Sequence, residues 1–291
     1  MTERDYLAEQ FEEHRSHLRA VAYRMLGSSA EAEDAVQEGW LRLSRTDPAD
    51  IDNLGGWLTT VVARVCLDML RSRKSRREEP FAPEAPEPVA AGRSGSSPEH
   101  EALLADSVGL ALLVVLDRLA PAERLAFVLH DMFGVPFEEI APIVGRSAEA
   151  TRQLASRARR RVRGGEAAAS DLARQRGVID TFLAALRAGD LPGLLAVLDP
   201  DLVVRADIPG APAEIRGAAN WAKGATAFGH LARLVHPALV DGAVGLVVAP
   251  RGRLVRALRF TITDGRIAGI EIISDAARLA DLEVSVVEPN L

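Results

Sequence analysis

The densest group of side chains suited to binding chemistry lies between residues 146 and 163. Seven arginines occur there against one acid, Glu149. The arginine guanidinium is a planar fork that can bind a phosphate, or the edge of a guanine, with two hydrogen bonds. At helical spacing, one face of this stretch carries Glu149, Arg152, Gln153, Ser156, Arg157 and Arg160. Such a face predicts a helix that enters the major groove of DNA.

The surrounding residues predict the helices that position this basic face. Residues 137–144 form a first helix, Gly145 and Arg146 form a turn, and Ser147 is the N-cap of the second helix. The buried face of the second helix is expected to consist of Thr151, Leu154, Ala155, Ala158 and Val162. Together these signals predict a helix-turn-helix. A solvated basic helix on an ordinary helical bundle is the alternative interpretation.

Two earlier helices present other polar faces. Residues 30–45 combine an apolar stripe with four clustered acids, which are Glu31, Glu33, Asp34 and Glu38. These acids form either a solvated face that suits the helix dipole or a docking surface for a basic partner. Residues 56–73 form a helix whose outer side carries Trp57, Thr60, Arg64 and Arg71. An aromatic ring beside arginines can stack on an unpaired base, although Trp57 is also consistent with a core residue.

Length and composition limit the class of protein. The chain has 291 residues, of which 48% are hydrophobic, and a formal net charge of −6. It can therefore hold two or three domains, and its overall charge argues against indiscriminate binding to nucleic acid. A single cysteine, Cys66, excludes a disulfide framework. The polar first ten residues are not a signal peptide, and the apolar runs are too short to span a bilayer. These features predict a cytoplasmic protein without a membrane partner.

The C-terminal part follows a different pattern. Residues 78–98 are rich in proline, glycine and serine, as in a linker, and residues 99–130 are expected to be helical. From about Asp171 the expected helices are 172–187 and 191–198, and the expected strands are 202–208, 244–249, 254–263 and 266–273. Asp264-Gly265 is a strong hairpin signal between the last two strands. Helices followed by a mostly antiparallel sheet predict an α+β domain.

Three blocks of sequence carry a resemblance to a known family. They are AEDAVQEGWLRL at 32–43, GGWLTTVVARVCLDMLRSRKSRR at 55–77 and LAPAERLAFVLHDMFGVPFEEIAPIVGRSAEATRQLASRARRRVR at 119–163. In order and spacing they resemble the RNA polymerase sigma factors of the extracytoplasmic-function (ECF) class. The C-terminal part resembles a SnoaL-like domain with the NTF2-like cone fold. The resemblance implies a multidomain protein with two all-α sigma domains, the second a helix-turn-helix, and a C-terminal α+β SnoaL-like domain.

The resemblance also implies a division of labour along the chain. Residues 1–77 would bind core RNA polymerase and the −10 promoter element, 78–107 would be a linker, 108–164 would bind the −35 element, and 171–291 would regulate in cis. The residues expected to contact core polymerase are Asp34, Gln37 and Glu38. Those expected at the −10 element are Trp57, Thr60, Arg64 and Arg71. Those expected at the −35 element are Arg146, Glu149, Arg152, Gln153, Ser156, Arg157 and Arg160.

A third set of residues is expected to lie between domains. Asp207 and Gly210 match part of a turn, and residues 274–279 match part of a C-terminal motif, of the related sigma factors with a SnoaL-like extension. Asp207, Arg278 and Leu279 are therefore predicted interdomain residues, with Arg278 reaching Glu84 or Glu87 of the linker.

Two other functions stay open at this point. SnoaL-type folds include enzymes, and Asp207 could serve as their acid or base, with Trp221, His230 and His236 in the same domain. A ligand-sensing DNA-binding regulator is the other alternative, and a small ligand in the C-terminal domain is left open as a partner. The leading interpretation is a sequence-specific transcription initiation factor. No catalytic residue, metal or cofactor is expected.

Overall fold

The computed structural model describes residues 3–46, 51–78, 109–163, 169–208, 210, 212–227, 232 and 234–286. These residues form two compact units. The first comprises the described residues up to Gly109 together with Leu116–Arg159. The second comprises Leu110–Val115 and the described residues from Arg160 onwards.

The first unit begins with three long helices, α1 (Glu3–Leu26), α2 (Ser29–Leu43) and α3 (Leu54–Glu78). Leucine and methionine side chains at helical spacing fill their shared core, among them Leu18, Met25, Leu43 and Leu58, all fully buried. The hydroxyl of Ser28 accepts a hydrogen bond from the backbone N–H of Glu31 at 3.4 Å and so caps α2. The carboxylate of Glu31 pairs with Arg73 of α3 instead of completing a capping box.

Three short helices, a π-helical turn and one longer helix follow. They are α4 (Leu110–Asp117), α5 (Pro121–Phe127), a π-helical turn (Val128–Met132), α6 (Phe137–Val144) and α7 (Ala148–Arg163). Gly145 has φ 72°, a left-handed conformation that suits glycine at the end of α6. The hydroxyl of Ser147 accepts the N–H of Ala150 at 3.2 Å at the start of α7. The predicted helix-turn-helix is thus formed, with Pro142 inside an uninterrupted α6.

The second unit contains a sheet and the helices α8 (Ala169–Ala188), α9 (Leu191–Val197), α10 (Ala218–Ala227) and α11 (Ala276–Asp281). Its strands are β1 (Leu198–Ala206), β2 (Glu214–Arg216), β3 (Val235–Val240), β4 (Ala243–Val248), β5 (Arg256–Thr263), β6 (Arg266–Ile273) and β7 (Val284–Ser285). The strand order is β2-β1-β6-β5-β4-β3-β7. Among the described strands, only β1 and β6 pair in parallel.

The core of the second unit lies between one face of this sheet and α8, α9 and α10. Phe182 of α8 is fully buried there, stacked on Trp221 and in edge contact with Phe260 of β5. Asp264 and Gly265 have φ 52° and 75° and link β5 to β6, as the hairpin signal predicts. The α+β class is therefore confirmed. Strand β3, helices α10 and α11 and the short strands β2 and β7 were not predicted.

Candidate nucleic-acid interface

Helix α7 has one buried and one solvent-exposed face, as the sequence predicts. Thr151, Ala155, Ala158 and Val162 are fully buried. The residues predicted to read DNA are all exposed, and these are Arg146, Glu149, Arg152, Gln153, Ser156, Arg157 and Arg160. A helix anchored in this way presents its polar side chains as a rigid set, which is the requirement for reading a groove.

Two arginines of this face already have partners within the protein. The Nη1 of Arg152 is 2.7 Å from Glu149 Oε2, and its guanidinium lies over the ring of Phe137 at 5.3 Å from the centroid. The Nε of Arg157 donates to Glu123 Oε1 of α5 at 2.7 Å. Glu123 is buried, so Arg157 helps to fix α7 on α5 in addition to any role on DNA. Sequence reasoning missed this contact, because the two residues are 34 positions apart.

Helix α3 carries the second predicted interface. Trp57, Thr60, Arg64 and Arg71 recur at i, i+3, i+7 and i+14, which places them along one side of a helix. Arg64 and Arg71 are exposed, and Trp57 and Thr60 are half-buried. Trp57 is therefore not a core residue. An arginine pair below a partly exposed indole is suited to a backbone phosphate and a stacked base.

Helix α2 presents a smaller acidic surface than its composition suggests. Glu33 pairs with Arg15 of α1, and Glu31 with Arg73 of α3, so these two acids are used inside the first unit. Asp34 and Gln37 are exposed, and Glu38 is half-buried with its carboxylate 3.0 Å from Arg42 Nε.

An exposed leucine extends the acidic surface of α2. Leu41 follows Asp34, Gln37 and Glu38 on the same face of the helix and is 39% exposed. Leu41 therefore adds an exposed apolar side chain at the C-terminal end of this polar set. The sequence analysis did not place Leu41 on this face, because the single indication of its position is its i+7 spacing from Asp34.

The three predicted interdomain residues lie together in the second unit. Asp207 Oδ1 accepts the backbone N–H of Asp275 at 3.3 Å, and Asp207 Oδ2 is 2.9 Å from Arg278 Nη1. Leu279, which follows Arg278 in the sequence, is buried. The predicted partners of Arg278 in the linker, Glu84 and Glu87, lie outside the described residues. Asp207 is engaged as a structural carboxylate that fixes the start of α11.

A groove of about 590 Å³ lies on the face of the sheet opposite the core. Its floor includes Gly245 and Gly269, which alternate along β4 and β6 with core residues. Arg205, Arg259 and Glu271 stand at its rim, and Arg259 bonds to Glu271 across neighbouring strands. The space between sheet and helices, in contrast, is filled by aliphatic side chains together with Phe182, Trp221 and Phe260.

The described residues offer neither a cluster of metal-ligating side chains nor a membrane-spanning helix. The described residues contain no group of three or more His, Cys, Asp or Glu side chains that could hold a metal ion. Within the same part of the chain, no helix has the length and apolar character needed to cross a membrane. His230, named above with Asp207, lies outside the described residues.

Comparison with known proteins identifies the family. Two family models match the chain, Sigma-70 region 2 over residues 10–76 and Sigma-70, region 4 over residues 109–162. The chain is 37% identical to the probable ECF RNA polymerase sigma factor SigI of Mycobacterium tuberculosis, over 98% of this chain and 99% of that protein. The chain belongs to the ECF RNA polymerase sigma factors.

A second member of the family is similarly close. The chain is 39% identical to the ECF RNA polymerase sigma factor SigJ of Mycobacterium tuberculosis, over 90% of this chain and 89% of that protein. The structure also aligns with a crystal structure of SigJ over 97% of this chain and 99% of that chain, with 36% sequence identity and a TM-score of 0.46.

The function of the protein follows from its membership of this family. The sigma factor is a transcription initiation factor that works with core RNA polymerase and promoter DNA, and it is not an enzyme. The interpretation of Asp207 as an acid–base catalyst is therefore wrong, and its carboxylate is occupied by Arg278 and backbone N–H groups. A regulator with a DNA-binding module alone would not contain the segment that matches region 2.

Proposed function

We propose that this sigma factor directs core RNA polymerase to promoters through three separate surfaces. In this proposal residues 1–77 bind core polymerase and the −10 element, 78–107 link the two sigma domains, and 108–164 bind the −35 element. The observation that carries it is helix α7, whose exposed face, with Arg146 of the preceding turn, holds every predicted reading residue while its opposite face is buried. The protein would act in the cytoplasm, where the polymerase transcribes.

Arg152 is the residue on which the −35 assignment is tested. If it contacts a base edge with two hydrogen bonds, Arg152→Ala should weaken promoter recognition by roughly 1–3 kcal/mol and relax selectivity at one position. Run-off transcription with core polymerase on a set of promoter fragments measures both effects.

The chain contains a matched control for this substitution. Arg174 of α8 is exposed and pairs with Asp171 at i−3, 3.1 Å away, as Arg152 pairs with Glu149. Arg174→Ala removes an arginine of the same kind from a helix with no predicted DNA contact, and transcription should be unchanged. Equal activity of wild-type protein and Arg152→Ala on every promoter would remove Arg152 from the reading face.

For core polymerase, we propose a docking surface made of Asp34, Gln37, Glu38 and Leu41. The exposed carboxylate of Asp34 supplies charge, and Leu41 supplies apolar area in the same patch. Such a surface fits a partner that is basic around an apolar pocket. Leu41→Ala should weaken core binding without changing promoter selectivity, which distinguishes this surface from that of α7.

We also propose that the C-terminal domain, residues 171–291, regulates the protein in cis. Support comes from two contacts inside the second unit. The backbone N–H of Val286 donates to Val162 O in the last turn of α7 at 3.0 Å. Gly252 also lies so close to Leu113 of α4 that a Cβ at this position would be 3.3 Å from the Leu113 Cβ. The C-terminal domain therefore bonds directly to the segment that matches region 4.

The groove on the outer face of the sheet is the site we propose for a small ligand. The alternative location, between sheet and helices, is filled by the apolar core that includes Phe182, Trp221 and Phe260. A ligand in the groove would raise the melting temperature of the wild-type protein. The ligand should not raise the melting temperature of Thr261→Trp, because this substitution places a large side chain among the residues that line the groove.

A further inference from the structure

Phe137, the first residue of α6, connects the reading face of α7 with the π-helical turn that precedes α6. Its side chain is buried, at 7% exposure. The guanidinium of Arg152 lies over its ring, 5.3 Å from the centroid. The imidazole of His130, in the π-helical turn, stacks on the same ring with the centroids 3.8 Å apart and the planes inclined by 26°. One aromatic ring thus contacts both an exposed arginine of the reading face and a histidine of the preceding turn.

Hydrogen bonds around Phe137 hold the ring and its stacking partner in place. Pro136 is the N-cap of α6, and its carbonyl accepts the backbone N–H of Ile140 at 3.2 Å. The Nδ1 of His130 is 3.0 Å from the carbonyl oxygen of Val135. A carbonyl oxygen only accepts hydrogen bonds, so this nitrogen carries the hydrogen and the imidazole is fixed. Phe137 is therefore a rigid platform beside Arg152.

Stacking restrains Arg152 in a way that an ion pair does not. The hydrogen-bond donors of a guanidinium lie in its plane, whereas an aromatic ring contacts its face. Glu149 accepts from Nη1 of Arg152 at 2.7 Å, and the stacking on Phe137 engages none of the other donors. Arg157, in contrast, is held through its Nε by the buried carboxylate of Glu123. The contact with Phe137 thus orients Arg152 and leaves its Nε and Nη2 available for a base edge.

An arginine that is already oriented binds DNA more tightly than a mobile one. An arginine side chain in water samples many rotamers, and fixing them on a base costs conformational entropy. A side chain that is restrained in the free protein has lost part of this entropy before DNA is bound. A contact between a guanidinium and an aromatic ring at an exposed site corresponds to about a two- to fivefold change in an equilibrium constant. We expect an effect of this size on the affinity for the base pair that Arg152 contacts.

We propose that Phe137 is a positioning residue for promoter recognition, whose ring holds the guanidinium of Arg152 in the orientation that reads a base pair of the −35 element. Phe137 itself contacts no DNA in this arrangement, because its side chain is buried. The proposal rests on the proposed function of Arg152. It adds that the selectivity of the reading face depends on an aromatic residue of the neighbouring helix, which His130 keeps in place.

The test is a double-mutant cycle on the full-length protein bound to core polymerase. Transcription by the wild type, Phe137→Leu, Arg152→Ala and the double variant is measured in competition between promoter fragments that differ by one base pair of the −35 element. Phe137→Leu should reduce selectivity about two- to fivefold at the base pair where Arg152→Ala relaxes it. In the Arg152→Ala background, Phe137→Leu should have no further effect, because no guanidinium is left to orient.

Two other variants of α6 separate positioning from packing. Phe137→Tyr keeps the aromatic face, and its selectivity should match that of the wild type. Ile140→Val reduces a fully buried side chain of the same helix, so it should lower the melting temperature without changing selectivity. Circular dichroism melting identifies the variants that fold.

Nuclear magnetic resonance of the wild-type protein tests the contact without any substitution. The ring current of Phe137 should shift the side-chain Hδ and Hε resonances of Arg152 upfield of those of Arg160, which lies on the same exposed face of α7. This measurement decides the matter if Phe137→Leu does not fold.

Three results would overturn the positioning role. The first is an equal loss of transcription from all fragments by folded Phe137→Leu with selectivity intact, because the ring would then serve packing alone. The second is the same loss of selectivity in the wild-type and Arg152→Ala backgrounds, and the third is a set of Arg152 resonances that coincide with those of Arg160. In these cases Arg152→Ala still relaxes selectivity at one base pair. Unchanged selectivity of Arg152→Ala would instead refute the proposed reading role of Arg152, and the positioning role with it.

Discussion

Arg157 has two competing roles, and its replacement separates them. It belongs to the predicted reading face, yet its Nε is 2.7 Å from Glu123, whose side chain is only 9% exposed. Hydrogen bonds between charged groups contribute about 1.5–3 kcal/mol when buried, and exposed pairs about 0.2–1 kcal/mol. Because the Arg157 side chain is 47% exposed, we expect Arg157→Ala to lower the free energy of unfolding by about 1 kcal/mol.

The assay is a double-mutant cycle with Arg157→Ala, Glu123→Gln and the combination, followed by urea unfolding. A coupling energy of about 1 kcal/mol is expected, since the two side chains are in direct contact. Arg160→Ala is the control on the same exposed face and should change stability by less than about 0.5 kcal/mol. A coupling energy indistinguishable from zero would refute the argument that Arg157 anchors α7.

Promoter binding by the same variants tests the second role. If Arg157 also reads DNA, Glu123→Gln should strengthen promoter binding, because it releases the guanidinium from a buried carboxylate. Arg157→Ala should then weaken binding beyond what its loss of stability explains. If Glu123→Gln leaves DNA affinity unchanged while the cycle gives the expected coupling, Arg157 is structural only.

Three further outcomes follow from other parts of the protein. Replacing Asp34 and Glu38 together by lysine should abolish co-purification with core polymerase and leave the melting temperature unchanged, and retained binding would exclude this surface. Gly245→Ala would place a Cβ 2.6 Å from Leu258 O, so urea unfolding should show a loss of about 1–3 kcal/mol. Burial lowers the pKa of His236 below its ordinary value of 6.5. Near and below pH 6.5 the unfolded chain therefore binds more protons at this residue than the folded chain does. The free energy of unfolding of the protein should therefore decrease as the pH is lowered through 6.5, and His236→Gln should reduce this slope.

The sequence predicted the helix-turn-helix almost to the residue because its signals are local. The left-handed turn at Gly145, the cap at Ser147 and the periodic buried face of α7 are each decided within a few positions. The same holds for the hairpin at Asp264-Gly265, where two adjacent residues adopt positive φ. The polar residues of α2 and α3 lie on the helix faces that their spacing predicts, but the pairing of Glu31 and Glu33 with arginines of other helices was not predicted.

What could not be predicted depends on residues far apart in the chain. Strand β3 contains Pro237, which usually argues against a central strand. It is tolerated because β7 pairs only with Leu239 and Val240, so the edge beside Pro237 needs no N–H donor. The contact of Arg124 with Arg24 spans 100 positions, and no periodicity in either helix indicates it.

The hydrogen bond between Val286 and Val162 has a consequence for how regulation by the C-terminal domain is studied. Truncation after α7 would leave the carbonyl of Val162 without this donor and would uncover α4, in which Ala111–Val115 are at most 7% exposed. An apolar helix of this kind, once exposed, favours aggregation. The behaviour of a shortened protein would therefore reflect a folding defect, which could be mistaken for the loss of a regulatory domain. Point substitutions such as Gly252→Ala, which places a Cβ 3.3 Å from that of Leu113 at a strained φ of 74°, keep the chain intact and are the sounder way to ask what the domain does.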